Sequence, residues 1–333
     1  MVQTSMIQDI METSFFYVFL AETSRDLTVV AAVEINTVAN EVYHLNFPDT
    51  KLLQKNIQSL TSNNINKIAP DIILMSPPCQ PFTRNGLKKD LDDLRTDPLQ
   101  HIISLLPQLT TVQYLLVENV KGFETSEARN MLITCLRKLE YNLQEFILSP
   151  HQFGVLNTRH RYYLLAKKSE FFFQTSESVM TSLPKAFDII DMEENQSLGD
   201  RKISDIIETL DESSEIYKSH LVPLETLTRR VFVIDIVTKD NNSTGSIFTN
   251  TSLNFVENTL EECRNCSCKD LSVRLLSSLN LRFFTPTEVS RLMSFPHDRL
   301  KFPSSITRKQ KYRLLGNSIN VLVVSKLISL LLH

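Results

Sequence analysis

Apolar residues fall along this chain in short continuous runs that alternate with stretches of helical spacing. "LTVVAAVEIN" (27–36) is apolar until it ends in an acid, as expected of a strand buried on both faces. "TVANEVYHLN" (37–46) then repeats its apolar positions at helical intervals. "DIILM" (71–75) and "YLLVENV" (114–120) predict two more buried strands, and helices are predicted over 98–109 and 127–141. "YNLQEFILSP" (141–150) and "RYYLLAKK" (161–168) predict a later strand pair. Strands alternating with helices specify an α/β fold, an open, doubly wound, mostly parallel sheet.

The pattern fades near residue 185. From there to about 280 the chain is polar, acidic and weakly periodic, as in "DMEENQSLGDRKISDIIETLDESSE", and predicts a smaller, loop-rich second domain. Regularity returns in "TPTEVSRLMSF" (285–295), where Thr285 can cap, Pro286 takes the first helical position and Glu288 completes a capping box. The last stretch, "YRLLGNSINVLVVSKLISLL", reads as a turn followed by an apolar helix. The expected division is a main domain split in sequence, 1–185 and 281–333, around a second domain at 186–280.

Composition narrows the class. At 333 residues and 42% hydrophobic content the chain can bury a sizeable core. A net charge of −3 excludes a uniformly basic nucleic-acid binder but leaves room for a local basic cleft. The apolar runs at 15–21 and 321–332 are too short to span a bilayer, so no membrane partner is expected. Five cysteines, an odd number, argue against a secreted disulfide framework and for an intracellular protein. Only six glycines occur, none before Gly86, where average usage would give about 23. A Gly-rich cofactor loop near the N-terminus is therefore absent.

Ligands of doubly wound sheets sit beyond the carboxyl ends of the strands. Glu34, Cys79 (in "LMSPPCQPFTRNG", 74–86) and Glu118-Asn119 all fall there. Taken singly they read as a small buried thiol and solvated acids; together they define a cleft edge. A thiolate can add to C6 of a pyrimidine and make C5 nucleophilic, while a carboxyl group on N3 and the exocyclic amine stabilises the developing charge. Pro77 and Pro78 stiffen the turn that aims the sulfur. Arg159 and Arg161, in "NTRHRYY" (157–163), point the same way on an extended segment, as a phosphate and thiolate aid or as an ordinary exposed face. Arg84, Lys88, Lys89 and Arg95 alternate with acids, either as a solvated loop or as one that closes on substrate. Cys263-x-x-Cys266 has zinc-ligand spacing but no second Cys or His pair nearby, so no metal is expected.

"SPPCQPFTRNG", "VENVKGFE", "NTRHRYY" and "RLLGNSINV" stand in the order and at the spacings of the cytosine-5 methyltransferase superfamily, and the wording resembles its tRNA-methylating branch. The resemblance runs from about residue 28 to the C-terminus. It implies Cys79 as nucleophile, Glu118 at N3 of the base, Arg159 and Arg161 as the orienting pair, and S-adenosylmethionine as methyl donor. It further implies Glu34 at the ribose with Ile35 beside it, Asn56, Ile57 and Gln58 beside the adenine, Ser76 and Ser318 at the methionine end, and Asn317 in the cofactor site where the C-terminal segment returns to the first strand. The implied partner is tRNA, at an anticodon-loop cytosine, in preference to DNA. The implied protein is a monomer of cytoplasm and nucleus, with 186–280 as a target-recognition domain. A DNA methyltransferase and a catalytically impaired RNA-binding homologue are the alternatives. Two departures stand out. The family's Phe-Ser-Gly-x-Gly-Gly loop falls, by gapless counting, on "IMETSF" (10–15), and its Cys-Phe-Thr segment is replaced by "VTKDNNS" (237–243) ahead of "TGSIFT".

Overall fold

Seven strands form one sheet in the order β3-β2-β1-β4-β5-β7-β6. They are β1 Ser5–Asp9, β2 Val29–Val33, β3 Leu52–Leu53, β4 Ile72–Ser76, β5 Tyr114–Val120, β6 Asn142–Leu148 and β7 Arg161–Lys167. All neighbours pair parallel except β7, which runs antiparallel between β5 and β6. This is the predicted mostly parallel α/β sheet. The computed structural model describes residues 5–9, 27–77, 97–188, 201–233, 235–242, 247–250, 252–265, 269–296 and 299–333.

The interior strands are legible because both faces are covered. Every residue of β4 is buried, and so are the five central residues of β5. Helices α1 (Thr37–Asn46), α2 (Ser62–Ile68), α3 (Asp97–Leu105) and α4 (Glu127–Lys138) connect the parallel strands. Asn36 starts α1 by accepting from the amides of Val38 and Ala39. The helix predicted over 98–109 tightens to a 3₁₀ turn at Leu106–Gln108, which holds Pro107. The one over 127–141 stops at Lys138, and Glu140 takes a left-handed φ of 60°. Lys51 and Lys55 flank the two-residue edge strand β3, a charge placement that discourages edge-to-edge pairing.

Strand β1 is a correction to the sequence reading, which begins its strands at residue 27. "SMIQD" carries too few apolar residues to signal a strand, yet it pairs on both sides, with β2 and with β4. Pairing partners distant in sequence fix it, not its own pattern. It ends at Asp9, opposite Ser76.

The chain divides into two compact units, one of residues 1–153, 159–196 and 293–333, the other of 154–158 and 197–292. The first contains the sheet and two C-terminal helices, α10 (Arg308–Asn317) and α11 (Val321–Leu332). By composition, 308–332 is long and apolar enough to cross a membrane, but 72% of its apolar window is buried within the protein. It also breaks at Ser318–Asn320, where Asn320 caps α11. The expected turn is confined to Ser318–Asn320, and "YRLLGN" is helical.

The second unit is more helical than its polar sequence predicts. It holds α5 (Glu215–His220), α6 (Leu224–Arg230), α7 (Leu253–Asn265), α8 (Lys269–Ser278) and α9 (Pro286–Leu292), with a two-stranded parallel pair, β8 (Ile236–Val237) and β9 (Ile247–Phe248). Its core gathers Val256, Leu260 and Cys263 from α7 against Leu276 and Leu279. Cys263 thus packs as a small hydrophobe; Cys266 and Cys268 lie outside the described residues. The predicted capping box is present: Thr285 N donates to Glu288 at 2.7 Å, and Glu288 N to the Thr285 hydroxyl at 3.2 Å. Glu288 also takes both arms of buried Arg282 at 2.7 and 2.8 Å. That buried ion pair fixes the unit's interior.

Candidate active site

At the carboxyl edge of the sheet, β5 ends in Glu118-Asn119-Val120 and β7 begins at Arg161. The antiparallel register sets Glu118 opposite Tyr163 and Val120 opposite Arg161. One diagonal step brings Arg161 Nε to 3.2 Å from Glu118 Oε1. Glu118 is only 8% exposed. Burial raises its pKa, opposed by the charges of Arg161 and then Arg159. The carboxyl thus holds its proton to higher pH than an ordinary glutamate, which suits a group that donates to a ring nitrogen. Because the folded pKa is the higher one, the stability it contributes is complete at low pH and lost as pH rises through that raised value. Glu118→Gln should remove this component, so the thermal stability of the variant should fall less over that alkaline-going window than the parent's. Parallel slopes in a pH-melting series would refute the assignment.

Arg159 reaches the C-terminal segment. Its guanidinium donates to the Ser318 carbonyl at 3.4 Å, and its amide to the buried Ser149 hydroxyl at 3.2 Å. Ser318 is 1% exposed, with its hydroxyl on the Leu315 carbonyl at 2.6 Å. The residues that the resemblance assigns to the base and to the cofactor are therefore directly bonded. Strand β7 is itself pinned next to Arg161: the Tyr162 hydroxyl donates to Glu145 at 2.6 Å, and Glu145 takes Arg129 in a two-armed pair.

Cys79 lies outside the described residues, as do Arg84, Lys88, Lys89 and Arg95. The segment leading to Cys79 is described as far as Pro77. There, buried Asn119 donates from Nδ2 to the Pro77 carbonyl at 3.3 Å. This residue was visible in the sequence only as the neighbour of Glu118; its partner is 42 positions away, so spacing could not reveal the role. Asn119→Ala should lower kcat about 10-fold, the rough worth of one buried hydrogen bond, while leaving tRNA affinity unchanged. Single-turnover methylation beside a filter-binding assay would check this, and an unchanged kcat would exclude the role.

The predicted cofactor residues lie at the ends of adjacent strands. Glu34 follows β2, is 1% exposed, and is held by its amide to Leu53 O (3.1 Å), by its carboxylate from Asn36 N (2.7 Å) and by its carbonyl from Asn40 Nδ2 (3.2 Å). Ile35 beside it is 51% exposed. Asn56 caps a single 3₁₀ turn over Ile57–Ser59, with Ile57 buried and Gln58 exposed. Ser76 is buried at the end of β4, and Asn317 is exposed at the end of α10. A held acid beside an exposed aliphatic suits a ribose diol and an adenine face. Among the described residues no cluster of three or more His, Cys, Asp or Glu side chains is placed to hold a metal.

An open mostly parallel sheet with its one antiparallel strand inserted before the edge, and a buried Glu–Arg pair at its carboxyl end, defines a Rossmann-like methyltransferase. The description "C-5 cytosine-specific DNA methylase" matches residues 16–333, and the chain belongs to that family of enzymes. It is 42% identical to the tRNA (cytosine(38)-C(5))-methyltransferase of Spodoptera frugiperda over 93% of both chains. It is 37% identical to the human protein of the same name, over 94% of this chain and 95% of that one. The crystal structure of a Spodoptera frugiperda DNMT2 mutant superposes with a TM-score of 0.85 at 38% identity, covering 99% of this chain and all of the other.

Proposed function

We propose that this chain transfers a methyl group from S-adenosylmethionine to C5 of a cytosine in a tRNA anticodon loop, at the position 38 that its relatives' names carry. The observation that carries the reading is the buried Glu118, whose pKa burial raises and which Arg159 and Arg161 frame, one strand from the segment that leads to Cys79. The Cys79 thiolate forms a bond to C6, and the electron pair displaced from the C5–C6 bond is stabilised through N3 by the Glu118 carboxyl. C5 then takes the methyl. Loss of the C5 proton and departure of the thiolate restore the ring. S-adenosylmethionine supplies the electrophilic methyl; Glu34 and Ile35 would hold its ribose and adenine, and Ser318 would face its methionine end. The unit at 197–292 serves as the target-recognition domain in this reading. A cytosine in a single-stranded loop is cheaper to extrude than one in a duplex, by a few kcal/mol.

A second reading, DNA methylation, is favoured by a 33% identical Dictyostelium discoideum relative named a DNA (cytosine-5)-methyltransferase. Tritiated S-adenosylmethionine offered with bulk tRNA and with duplex DNA separates the two. Label in tRNA alone is expected. Label in DNA alone would replace the reading with the second, and label in neither would leave an RNA-binding homologue.

A further inference from the structure

Arg161 and Glu118 meet on one face of the sheet, and the other face holds a second buried charged group. Side chains alternate along β7, so Tyr162 lies on the face away from that pair, opposite Asn119 of β5 and Ile147 of β6. Its ring is fully buried and packs on Phe123, with centroids 5.1 Å apart. Phe123 opens the 3₁₀ turn Phe123–Thr125 just after β5, which is entered through Gly122 at a φ of 112° that favours glycine. The Tyr162 hydroxyl donates to Glu145 Oε1 at 2.6 Å. Arg129 Nε donates to the same oxygen at 2.8 Å, and its second arm takes the other oxygen. Ser126 fixes the start of α4, which carries Arg129, by accepting from the Arg129 amide at 3.0 Å. One tyrosine thus ties β7 to β6, to α4 and to the turn that follows Glu118.

Stability does not require this group. A buried tyrosine, carboxylate and arginine cost desolvation, and apolar side chains of similar volume are often as stable or more so. What the group adds is position. Shearing β7 by one two-residue repeat would keep every side chain on its own face, so alternation alone does not forbid it. Such a slip would carry Arg161 off Glu118, where Nε now stands 3.2 Å from Oε1. The Tyr162–Glu145 bond and the Tyr162–Phe123 contact hold one register only. Burial, and then the Glu145 charge, push Tyr162 well above its ordinary range, so its hydroxyl stays a donor. Among the described residues the ionisable groups that face Glu118 are Arg161, Arg159 and Tyr163, all from β7 or the residues just before it. β4, on the other side of β5, carries no ionisable side chain. The setting of β7 therefore decides the electrostatics at Glu118.

We infer that Tyr162, held by Glu145 and Arg129, is a positioning residue for methyl transfer: from the far face of the sheet it sets the reach of Arg161 to Glu118. The inference rests on the methyltransferase reading above. The test is Tyr162→Phe, which keeps the ring and its packing and removes the hydroxyl alone. In single-turnover methylation of tRNA at saturating S-adenosylmethionine the rate should fall about tenfold, the rough worth of one buried hydrogen bond, with tRNA affinity unchanged. Burial raises the Glu118 pKa against the pull of Arg161, so a loosened pair lets it rise further, and the alkaline limb of the rate should move to higher pH. The same shift should appear with neither methyl donor nor RNA present. The stability that Glu118 contributes, read as the melting difference between parent and Glu118→Gln, is lost as pH rises through the Glu118 pKa. In the Tyr162→Phe background that loss should come at higher pH. A merely structural tyrosine would lower the melting temperature at every pH and move neither window. Glu145→Gln, which leaves the hydroxyl an acceptor, should move both windows less; a larger movement than that of Tyr162→Phe would place the effect in the Glu145 charge and overturn the inference. Unmoved windows in Tyr162→Phe also overturn it, while the methyltransferase reading stands. A parent that methylates no tRNA overturns that reading, and the melting series then decides the inference alone.

Discussion

Cys79→Ser is expected to abolish methyl transfer, by a factor on the order of 10⁴ or more, while the protein folds and binds RNA as before. A hydroxyl is almost entirely protonated at neutral pH and is a far weaker nucleophile than a thiolate, so the C6 bond does not form. The described residues that lead toward position 79 are firmly held. β4 ends at buried Ser76, and Asn119 holds the next carbonyl, Pro77. Arg159 and Arg161 bring positive charge to the same edge, which favours the thiolate. RNA carrying 5-fluorocytosine at the target position gives a second readout. With fluorine on C5 there is no proton to lose, so the methylated adduct stays attached to the protein and resists denaturation. Trapping is expected with Cys79 and absent with serine. An adduct that survives Cys79→Ser would move the nucleophile elsewhere.

How much of this was legible in the chain depends on where each signal resides. β2, β4 and β5 are buried on both faces, so their apolar runs are unbroken, and α1 carries its start signal in Asn36. β1 has no such pattern, because its place is set by pairing with β2 and β4. The α7 stripe of Val256, Leu260 and Cys263 is narrow and diluted by Glu257, Glu261 and Glu262, so the second unit reads as loop-rich when it is largely helical. "YRLLGN" read as part of a turn, yet it is helical and the break comes only after Asn317. At the site, Glu118, Arg159 and Arg161 follow from motif resemblance, and the structure adds the physical reason they act together. Asn119 and Ser149 were silent because their partners are a backbone carbonyl and a backbone amide, which leave no trace in residue type.

Restoring glycines to the segment after β1 should raise S-adenosylmethionine affinity about 100-fold or more. The strand ends at Asp9, opposite Ser76, at the same carboxyl edge as Glu34 and Ser318. The sequence that follows is "IMETSF". In this fold the loop after the central strand comes closest to the ligand, where glycines supply positive φ and leave space for its backbone contacts. Here that stretch offers a β-branched Thr13, a bulky Phe15 and an acid, Glu12, where the family resemblance places the methionine end and its carboxylate. Losing two or three backbone hydrogen bonds to a charged group costs about 3–6 kcal/mol, which sets the size of the expected change. The residues that the resemblance assigns to the adenosine half, Glu34, Ile35 and Ile57, lie outside this loop. Calorimetric titration should therefore show weak binding by the chain as it stands. It should show micromolar binding by a version carrying Ile10→Phe, Met11→Ser, Glu12→Gly, Ser14→Gly and Phe15→Gly, with tRNA methylation rising in step. Equal micromolar affinity in both would show that the glycines are dispensable here and that the contacts at Glu34 and Ser318 suffice to hold the methyl donor.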